Sequence, residues 1–459
     1  MNASLAANPA VPDEVPTGVV LRYGVGQLGA QVFRDTPAVL LPLFMTTMLG
    51  VPAWLAGLVV LLPKLWLIVC DPLVGAWSDR LKTAIGRTPF LIAGAVGTTL
   101  GFIALFAFTA YPSPYIAAAA ICALFFLAST AFSVYSVPYL AIAAELSSDP
   151  HQRNRIMVLR MFFATLGVLV GVGLAQPTIA HFGGGAAGWH AMSWIFGGLC
   201  LISMLTTASG LRRVPLINAG AVPGSLLDQL RTVAANRPYL VLLATTFVSN
   251  TGQAASYTVI GFVFLYAVQA IWLIPAFILC MSAASLASQP LWLWLPKRIG
   301  KPRAYVLAAA IWAAVTITWL WVGKGGTDVA ALPGGQPVNT QHLLILLRAV
   351  IIGAFNGGFI LLALSMMTDT VDYQRRMQGV ANEGVFAGLF SAMEKLAFAL
   401  GPVIAGIVMS AFGFVSSTGG AAAQSDSAVT GIVLLYSVIP ATLQVIALLI
   451  FSRYRLPES

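Results

Sequence analysis

Residues 69–87 read VCDPLVGAWSDRLKTAIGR. Asp71-Pro72 sits inside a strongly apolar run, and Asp79, Arg80, Lys82 and Arg87 crowd into the residues that follow. A carboxylate placed in apolar surroundings and a dense basic segment close behind it pose the same question twice: where is the water? Along the chain, 59% of the 459 residues are hydrophobic and only 8% are charged. A soluble globular chain carries about 25% charged residues, so the deficit is about threefold. The apolar residues come in long blocks, 39–70, 90–110, 114–143, 238–295 and 428–451. Several exceed the roughly 20 residues that cross a bilayer as a helix. A transmembrane barrel would alternate apolar and polar residues instead. The pattern is that of a polytopic α-helical membrane protein.

Polar and Gly/Pro punctuation divides the chain into twelve spans, near 18–46, 51–78, 89–110, 114–146, 156–180, 189–211, 238–267, 270–296, 303–323, 341–368, 381–413 and 428–452. The break at Gln269 is the weakest. Basic residues mark every second connection: Arg80, Lys82 and Arg87; Arg153 and Arg155; Arg212, Arg213, Arg231 and Arg237; Lys297, Arg298, Lys301 and Arg303; Arg375 and Arg376; Arg453 and Arg455. The alternate connections hold Lys324. By the positive-inside rule both termini are cytoplasmic, in a bacterial-type inner membrane. The net charge of +9 then reflects topology and needs no nucleic-acid partner. Residues 1–17 read as a short cytoplasmic tail without the pattern of a cleavable signal, and 454–459 as a second tail.

The longest basic connection, 212–237, leaves a six-span half on each side, 18–211 and 238–453. Gly86-Arg87 after span 2 echoes Gly300-Lys301 after span 8; Glu145 and Asp149 at the end of span 4 echo Asp369 and Asp372 at the end of span 10. Paired halves suggest alternating access around a central site.

An ionisable side chain near the bilayer centre costs at least about 2.5–3.5 kcal/mol, so each is a functional candidate. Here they are Arg34, Asp35, Lys64, Asp71, Arg160, Arg348, Glu394 and Lys395. Lys64 and Asp71 are two turns apart and share a helix face. Gln27, Gln31, Arg34 and Asp35 form a polar stripe on span 1; Ser249, Asn250, Gln253, Ser256 and Tyr257 form another on span 7. Both stripes suit a water-filled cavity. Asp71 serves either as a carboxylate that binds H⁺ or Na⁺, or as a permanent partner of Lys64 or Lys395. Burial favours the neutral carboxyl and a nearby cation favours the charged one, so a cation competing for Asp71 would make a switch. Asp35 is a second carboxylate of this kind, or a partner for Arg34 or Arg160. For the solute, the candidates are Gln27, Gln31, Arg34, Tyr135, Ser136, Arg160, Asn250, Gln253 and Asn356, with Tyr23, Trp66, Phe132, Tyr139, Tyr257 and Phe355 as possible aromatic platforms.

At Gly75-x-x-x-Asp79-Arg80 with Gly86-Arg87, the chain resembles the loop between helices 2 and 3 of the major facilitator superfamily. Asp71-Pro72 ahead of that loop and TDTVDYQRR at 368–376 resemble, within it, the glycoside–pentoside–hexuronide:cation symporters. LRYGVGQLG (21–29), SVPYLAIAAEL (136–146), HQRNRIMVLR (151–160) and MEKLAFALG (393–401) carry the resemblance through helices 1, 2, 4, 5, 10 and 11 in order. It implies twelve transmembrane helices in two pseudo-symmetric halves, and cation coupling at the positions of Asp71 and Lys395. It implies a gating role for the charged groups at the cytoplasmic ends: Asp79, Arg80, Arg87, Glu145, Arg153, Arg155, Asp369, Asp372 and Arg375. Asp79 is expected to meet an arginine or a helix N-terminus across the two halves, and Gly75 to allow close helix packing.

The departures matter as much. Leu67 stands one turn before Asp71 where sugar symporters of this family carry a second aspartate; Gln31 stands near their helix-1 aspartate, and Ser136 where the melibiose type has a third. A lone carboxylate is a poor sodium site, which favours H⁺ over Na⁺. The expectation is a cation-coupled symporter of a glycoside-like solute. An amphipathic or lysolipid-like substrate, export, and a non-transporting scaffold or receptor are the alternatives. No enzyme constellation is present: His151, His181, His190 and His342 lie at loops or span ends, and Cys70, Cys122, Cys200 and Cys280 lie in apolar runs without metal spacing. No phosphate loop is present, and no cofactor or metal is expected beyond the coupling ion. The partners expected are the lipid bilayer and a small solute, with the chain a monomer.

Overall fold

The computed structural model describes residues 15–147, 149–212, 214, 236–323, 326–331, 337–378 and 383–456. Residues 1–14 of the tail, most of the 212–237 connection with Arg213 and Arg231, Lys324, and the Lys82 side chain lie outside the described residues.

Among the described residues the apolar blocks fold as twelve rods. They are α1 (Thr17–Thr47), α2 (Ala53–Ile85), α3 (Thr88–Ala107), α4 (Pro114–Glu145), α5 (Pro150–Val168, a π turn Leu169–Leu174, then Ala175–His181) and α6 (Gly185–Gly210). The second half has α7 (Arg237–Phe262 with a π turn Val263–Ala267), α8 (Ile274–Ala287 and Gln289–Ile299), α9 (Lys301–Ile317), α10 (Thr340–Gln378), α11 (Glu383–Ala411) and α12 (Asp426–Tyr436 and Val438–Phe451). The connection at Gln269 is real, and its residue takes a positive φ of 58°. α8 bends by 44° at Ser288, because Pro290 has no N–H to give the preceding turn. A short antiparallel hairpin, β1 (Asp328–Ala331) with β2 (Pro337–Asn339), joins α9 to α10 and was not foreseen in the sequence.

Among the described residues, nine rods, or ten with the bent α8, are long and apolar enough to cross a membrane on composition alone. The two that fall short are α1 and α7, the first helix of each half and the bearers of the two polar stripes. Their polarity is tolerated because they are enclosed by protein. From Gly29 to Thr47 every residue of α1 is buried except Arg34. α1 packs on α5 and α6 within its half and on α7 across to the other. On α2, Leu62, Leu65, Val69, Leu73 and Ala76 make an exposed apolar face toward lipid; Lys64 and Asp71 project from the opposite side.

The bundle has two unlike ends. One, the basic end, holds the start of α1, the finish of α12 and the α2–α3, α4–α5 and α8–α9 connections. The other, the hairpin end, holds β1–β2 and the α1–α2 and α11–α12 connections. The halves are joined at the hairpin end by backbone. Gly50 N–H donates to Ser417 O (2.9 Å), Ser417 N–H to Thr46 O (2.8 Å), Gly419 N–H to Met48 O (3.1 Å) and Gly420 N–H to Thr47 O (3.0 Å). Ser416 Oγ adds a bond to Val51 O (2.8 Å) and Trp54 N–H one to Ser410 Oγ (3.1 Å).

Candidate functional site

The seam between α2 and α11 carries the charge pair. Lys395 Nζ donates to Asp71 Oδ2 at 2.5 Å, and Ser133 Oγ of α4 donates to Asp71 Oδ1 at 2.5 Å. The Asp71 side chain is 18% exposed and that of Lys395 47% exposed. Asp71 therefore belongs to one half and its cation to the other. Of the two cations the sequence offered to Asp71, Lys395 is the one that pairs with it, while Lys64 Nζ donates to Phe398 O on α11 at 3.3 Å. The cause lies four residues on. Pro402 sits inside α11 and has no N–H, so the Phe398 carbonyl is free to accept an ammonium. Both charged groups on this face of α2 thus bridge to α11. Of the hydrogen bonds given above that join the halves, Asp71–Lys395 lies deepest from the hairpin end.

A second polar array runs along α1. Arg160 Nε of α5 donates to Gln27 Oε1 (2.9 Å), Gln27 Nε2 to Gln31 Oε1 (3.1 Å), and Gln31 Nε2 to Asp35 Oδ2 (2.7 Å). Arg34 Nε takes the other oxygen, Asp35 Oδ1, at 3.2 Å. A cation at one end and a carboxylate at the other fix both amide orientations, since only one sense of donation satisfies both. Gly167 lets α5 close on this array: a Cβ there would lie 2.6 Å from Gln31 Cβ. Arg34, whose side chain is 63% exposed, is the exposed member of the Gln27, Gln31, Arg34 and Asp35 stripe. Lys64, Glu394 and Tyr257 are within electrostatic reach of Arg34 or Asp35, so α1, α2, α7 and α11 contribute to one polar centre.

At the basic end each half is clamped to itself. Arg87, 4% exposed, forks onto Glu145 (Nε to Oε2, 2.8 Å; Nη2 to Oε1, 2.6 Å), and also donates to Asp79 Oδ1 (2.7 Å) and Ser78 Oγ (3.0 Å). Burial opposes its charge, but the bonds to Glu145 and Asp79 outweigh it and hold the guanidinium pKa above the ordinary value. The second half repeats the plan, with Lys301 Nζ on Asp369 Oδ1 and Oδ2 at 2.7 Å each. In both, the cation follows a glycine of positive φ (Gly86 73°, Gly300 83°), which turns the chain from one helix into the next. The echo between the halves is thus structural. The expectation that Asp79 reaches across the halves is corrected: Arg87, eight residues away, is nearer and buried. Arg155 donates to Thr17 Oγ1 and Val15 O rather than joining Glu145. Arg153 donates to Ser147 O at 2.7 Å. Arg80, Asp372 and Arg375 are exposed.

Other candidates are placed elsewhere. Tyr135 is fully buried in the first half, stacked on Tyr139, itself stacked on Tyr23 at 4.5 Å, and does not face the polar centre. Arg348 donates to Thr318 Oγ1 (2.9 Å) and lies over the Trp319 ring, at the hairpin end. Ser249 turns into its own half onto Gln444 Oε1 (2.6 Å), while Asn250, Gln253 and Asn356 are half-buried. Ser136 is half-buried too, and Ser133, one turn before it, is the residue that reaches Asp71; sequence reasoning missed it. Gly75 has room to spare, since a Cβ there would meet Val137 at an ordinary 3.5 Å.

The family model described as "MFS/sugar transport protein" matches residues 22–458. The chain belongs to that family. It is a multi-pass membrane transporter of the major facilitator fold and not an enzyme. It is 25% identical over 477 residues to the isoprimeverose transporter of Lactiplantibacillus pentosus, covering 98% of this chain and 92% of that one. It is 24% identical over 457 residues to a Salmonella typhimurium protein named as a candidate 2,3-dihydroxypropane-1-sulfonate exporter, covering 97% and 93%. Among solved structures, the nucleoside transporter NupG aligns with a TM-score of 0.67 at 12% identity, over 94% of this chain and all of that one, a likeness of fold.

Proposed function

We propose that this transporter is a proton-coupled symporter of a glycoside-like solute, set in an inner membrane with its basic end in the cytoplasm. The observation that carries the reading is the Asp71–Lys395 ion pair. It ties α2 of one half to α11 of the other, and one proton is enough to break it. A proton arriving on Asp71 cancels the carboxylate charge, and Lys395 loses the partner that ties α11 to α2. In this reading the backbone bonds at the hairpin end hold the halves together on the outer side, and the solute path opens to the cytoplasm. Return to the outward-open form requires the hairpin-end bonds to part and the basic ends to meet. Arg87–Glu145 and Lys301–Asp369 keep each half rigid during that movement, so the halves rock as bodies.

H⁺ is favoured over Na⁺ by the surroundings of Asp71. Among the described residues Ser133 Oγ is the one other side-chain oxygen bonded to it, and an ammonium already fills its second oxygen. Sodium needs several hard oxygens together, and the amides of Gln27 and Gln31 are committed to Arg160 and Asp35. The half-buried amides of Asn250, Gln253 and Asn356 suit the hydroxyls of a sugar, in keeping with the isoprimeverose transporter among its relatives. Export is the second reading, favoured by the relative named as an exporter. In proteoliposomes an inward pH gradient should drive uptake without sodium, and Asp71→Asn should abolish the gradient's effect while exchange of preloaded solute persists. Gradient-driven accumulation by that variant, or a strict sodium requirement, would overturn the assignment.

A further inference from the structure

We propose that the groove between α9 and α10, in the leaflet at the hairpin end, holds the phosphate of an anionic phospholipid on Arg348, with phosphatidylglycerol as its simplest ligand. The site lies away from the polar centre and stands independently of the coupling reading.

Of the charged groups inside the apolar spans, Arg348 is the one placed in the α9–α10 packing and not among the others. It lies about 12 Å along α10 from Thr340. A charge at such a depth is costly and calls for a partner. The positive-inside rule accounts for the cations of the basic end, but not for one placed toward the opposite end.

The protein gives Arg348 hydrogen bonds without a counter-charge. Its Nε donates to Thr318 Oγ1 at 2.9 Å, in the 3₁₀ turn Thr318–Trp321 that ends α9, and Thr318 passes its own proton to Val315 O at 2.6 Å. The guanidinium carbon lies 5.9 Å from the centroid of the Trp319 ring, which is itself 1% exposed. Among the described residues no carboxylate pairs with Arg348. Asp328, the acid of the α9–α10 connection, is exposed and within electrostatic reach of His342 instead. Residues 324–325 and 332–336 of that connection read KG and LPGGQ, without an acid. The two terminal nitrogens differ. Nη1 is enclosed and has no acceptor among the described residues, whereas Nη2 is accessible and has none either.

The surface beside Nη2 is apolar. Leu344, one turn before Arg348 on the same face, and Leu347 are exposed on α10, and Ile317, Leu320 and Trp321 are exposed at the end of α9. Trp321 is 69% exposed, an amphipathic ring suited to the headgroup level. Acyl chains meet the leucines, and the long arginine stem carries its charge toward the headgroups. A phosphodiester then supplies both an oxygen for Nη2 and the missing negative charge. Phosphatidylcholine offers the same oxygen but brings a cation of its own, so it leaves the charge of Arg348 uncompensated.

The test is native mass spectrometry of the purified full chain, titrated with dioleoyl phosphatidylglycerol, with dioleoyl phosphatidylcholine and with inorganic phosphate. Phosphatidylglycerol should bind more tightly than phosphatidylcholine, and Arg348→Gln should weaken its tightest binding about tenfold, the worth of one charge-assisted hydrogen bond. Arg348→Lys retains the charge and should retain most of the affinity, and Trp321→Ala, at the exposed rim, should weaken it. Arg298→Gln, an exposed cation at the basic end, should leave it unchanged. Each variant is checked for a monodisperse elution. Equal binding of the two lipids by the wild type, phosphatidylglycerol binding undiminished in Arg348→Gln, or a loss in Arg298→Gln as large as in Arg348→Gln would overturn the proposal. So would a loss in Arg348→Lys as complete as in Arg348→Gln, or displacement of the lipid by inorganic phosphate at matched concentration, which would make this a site for a free anion.

Discussion

At the scale of single residues, the price of burying charge decides which groups matter. Arg87 and Glu145 are both almost wholly enclosed and satisfy each other with two short bonds. Removing one member strands the other, a loss of about 3–5 kcal/mol for buried pairs. Arg87→Ala should therefore lower the melting temperature of the purified protein sharply, and Arg80→Ala, at an exposed position, should leave it unchanged; equal effects would contradict the clamp. The sequence made Asp71 legible as a residue, because any charge inside an apolar run stands out. It did not make its partners legible. Lys395 is 324 positions away, and Ser133 is one serine among several on α4. The Lys64 acceptor had a signal that went unread: a proline inside a helix frees the carbonyl four residues before it.

At the scale of elements, the polar stripes of α1 and α7 were readable from helical spacing, and they coincide with the two rods too polar to pass as spans alone. Spacing could not say which stripe residues face the cavity. On α1 they bond to one another in a row; on α7, Ser249 turns back into its own half. Tyr135 illustrates the same limit, since an aromatic on α4 serves the core or the cavity according to a rotation that no local pattern encodes. The α1–α2 and α11–α12 connections, featureless in sequence, form the joint between the halves at the hairpin end. Leu49 and Thr418 face each other there as an isolated bridge. A Leu49→Cys, Thr418→Cys double variant should cross-link on oxidation and lose uptake, with recovery on reduction. Full cross-linking with uptake intact would show that this joint does not open during transport.

At the scale of the whole molecule, the twelve-rod plan and the two halves followed from apolar block lengths and from alternate basic connections, because bilayer thickness and the cost of burying backbone polar groups leave few alternatives. The repeated Gly-cation motifs foretold the matching clamps, Arg87 with Glu145 and Lys301 with Asp369, since each half solves the same problem at its basic end. What the sequence could not show is the state of the cavity, which depends on contacts between halves far apart in the chain. Among the described residues those contacts run from the hairpin end down to Asp71–Lys395, and this placement makes the ion pair the hinge of the account. The most direct test follows the proton itself, in a lightly buffered suspension of proteoliposomes to which solute is added with no gradient imposed. The external medium should turn alkaline as solute enters through the wild-type protein, with one proton taken up per solute, and Asp71→Asn should take up solute by exchange with no alkalinisation. A proton signal of undiminished size from Asp71→Asn would contradict the account.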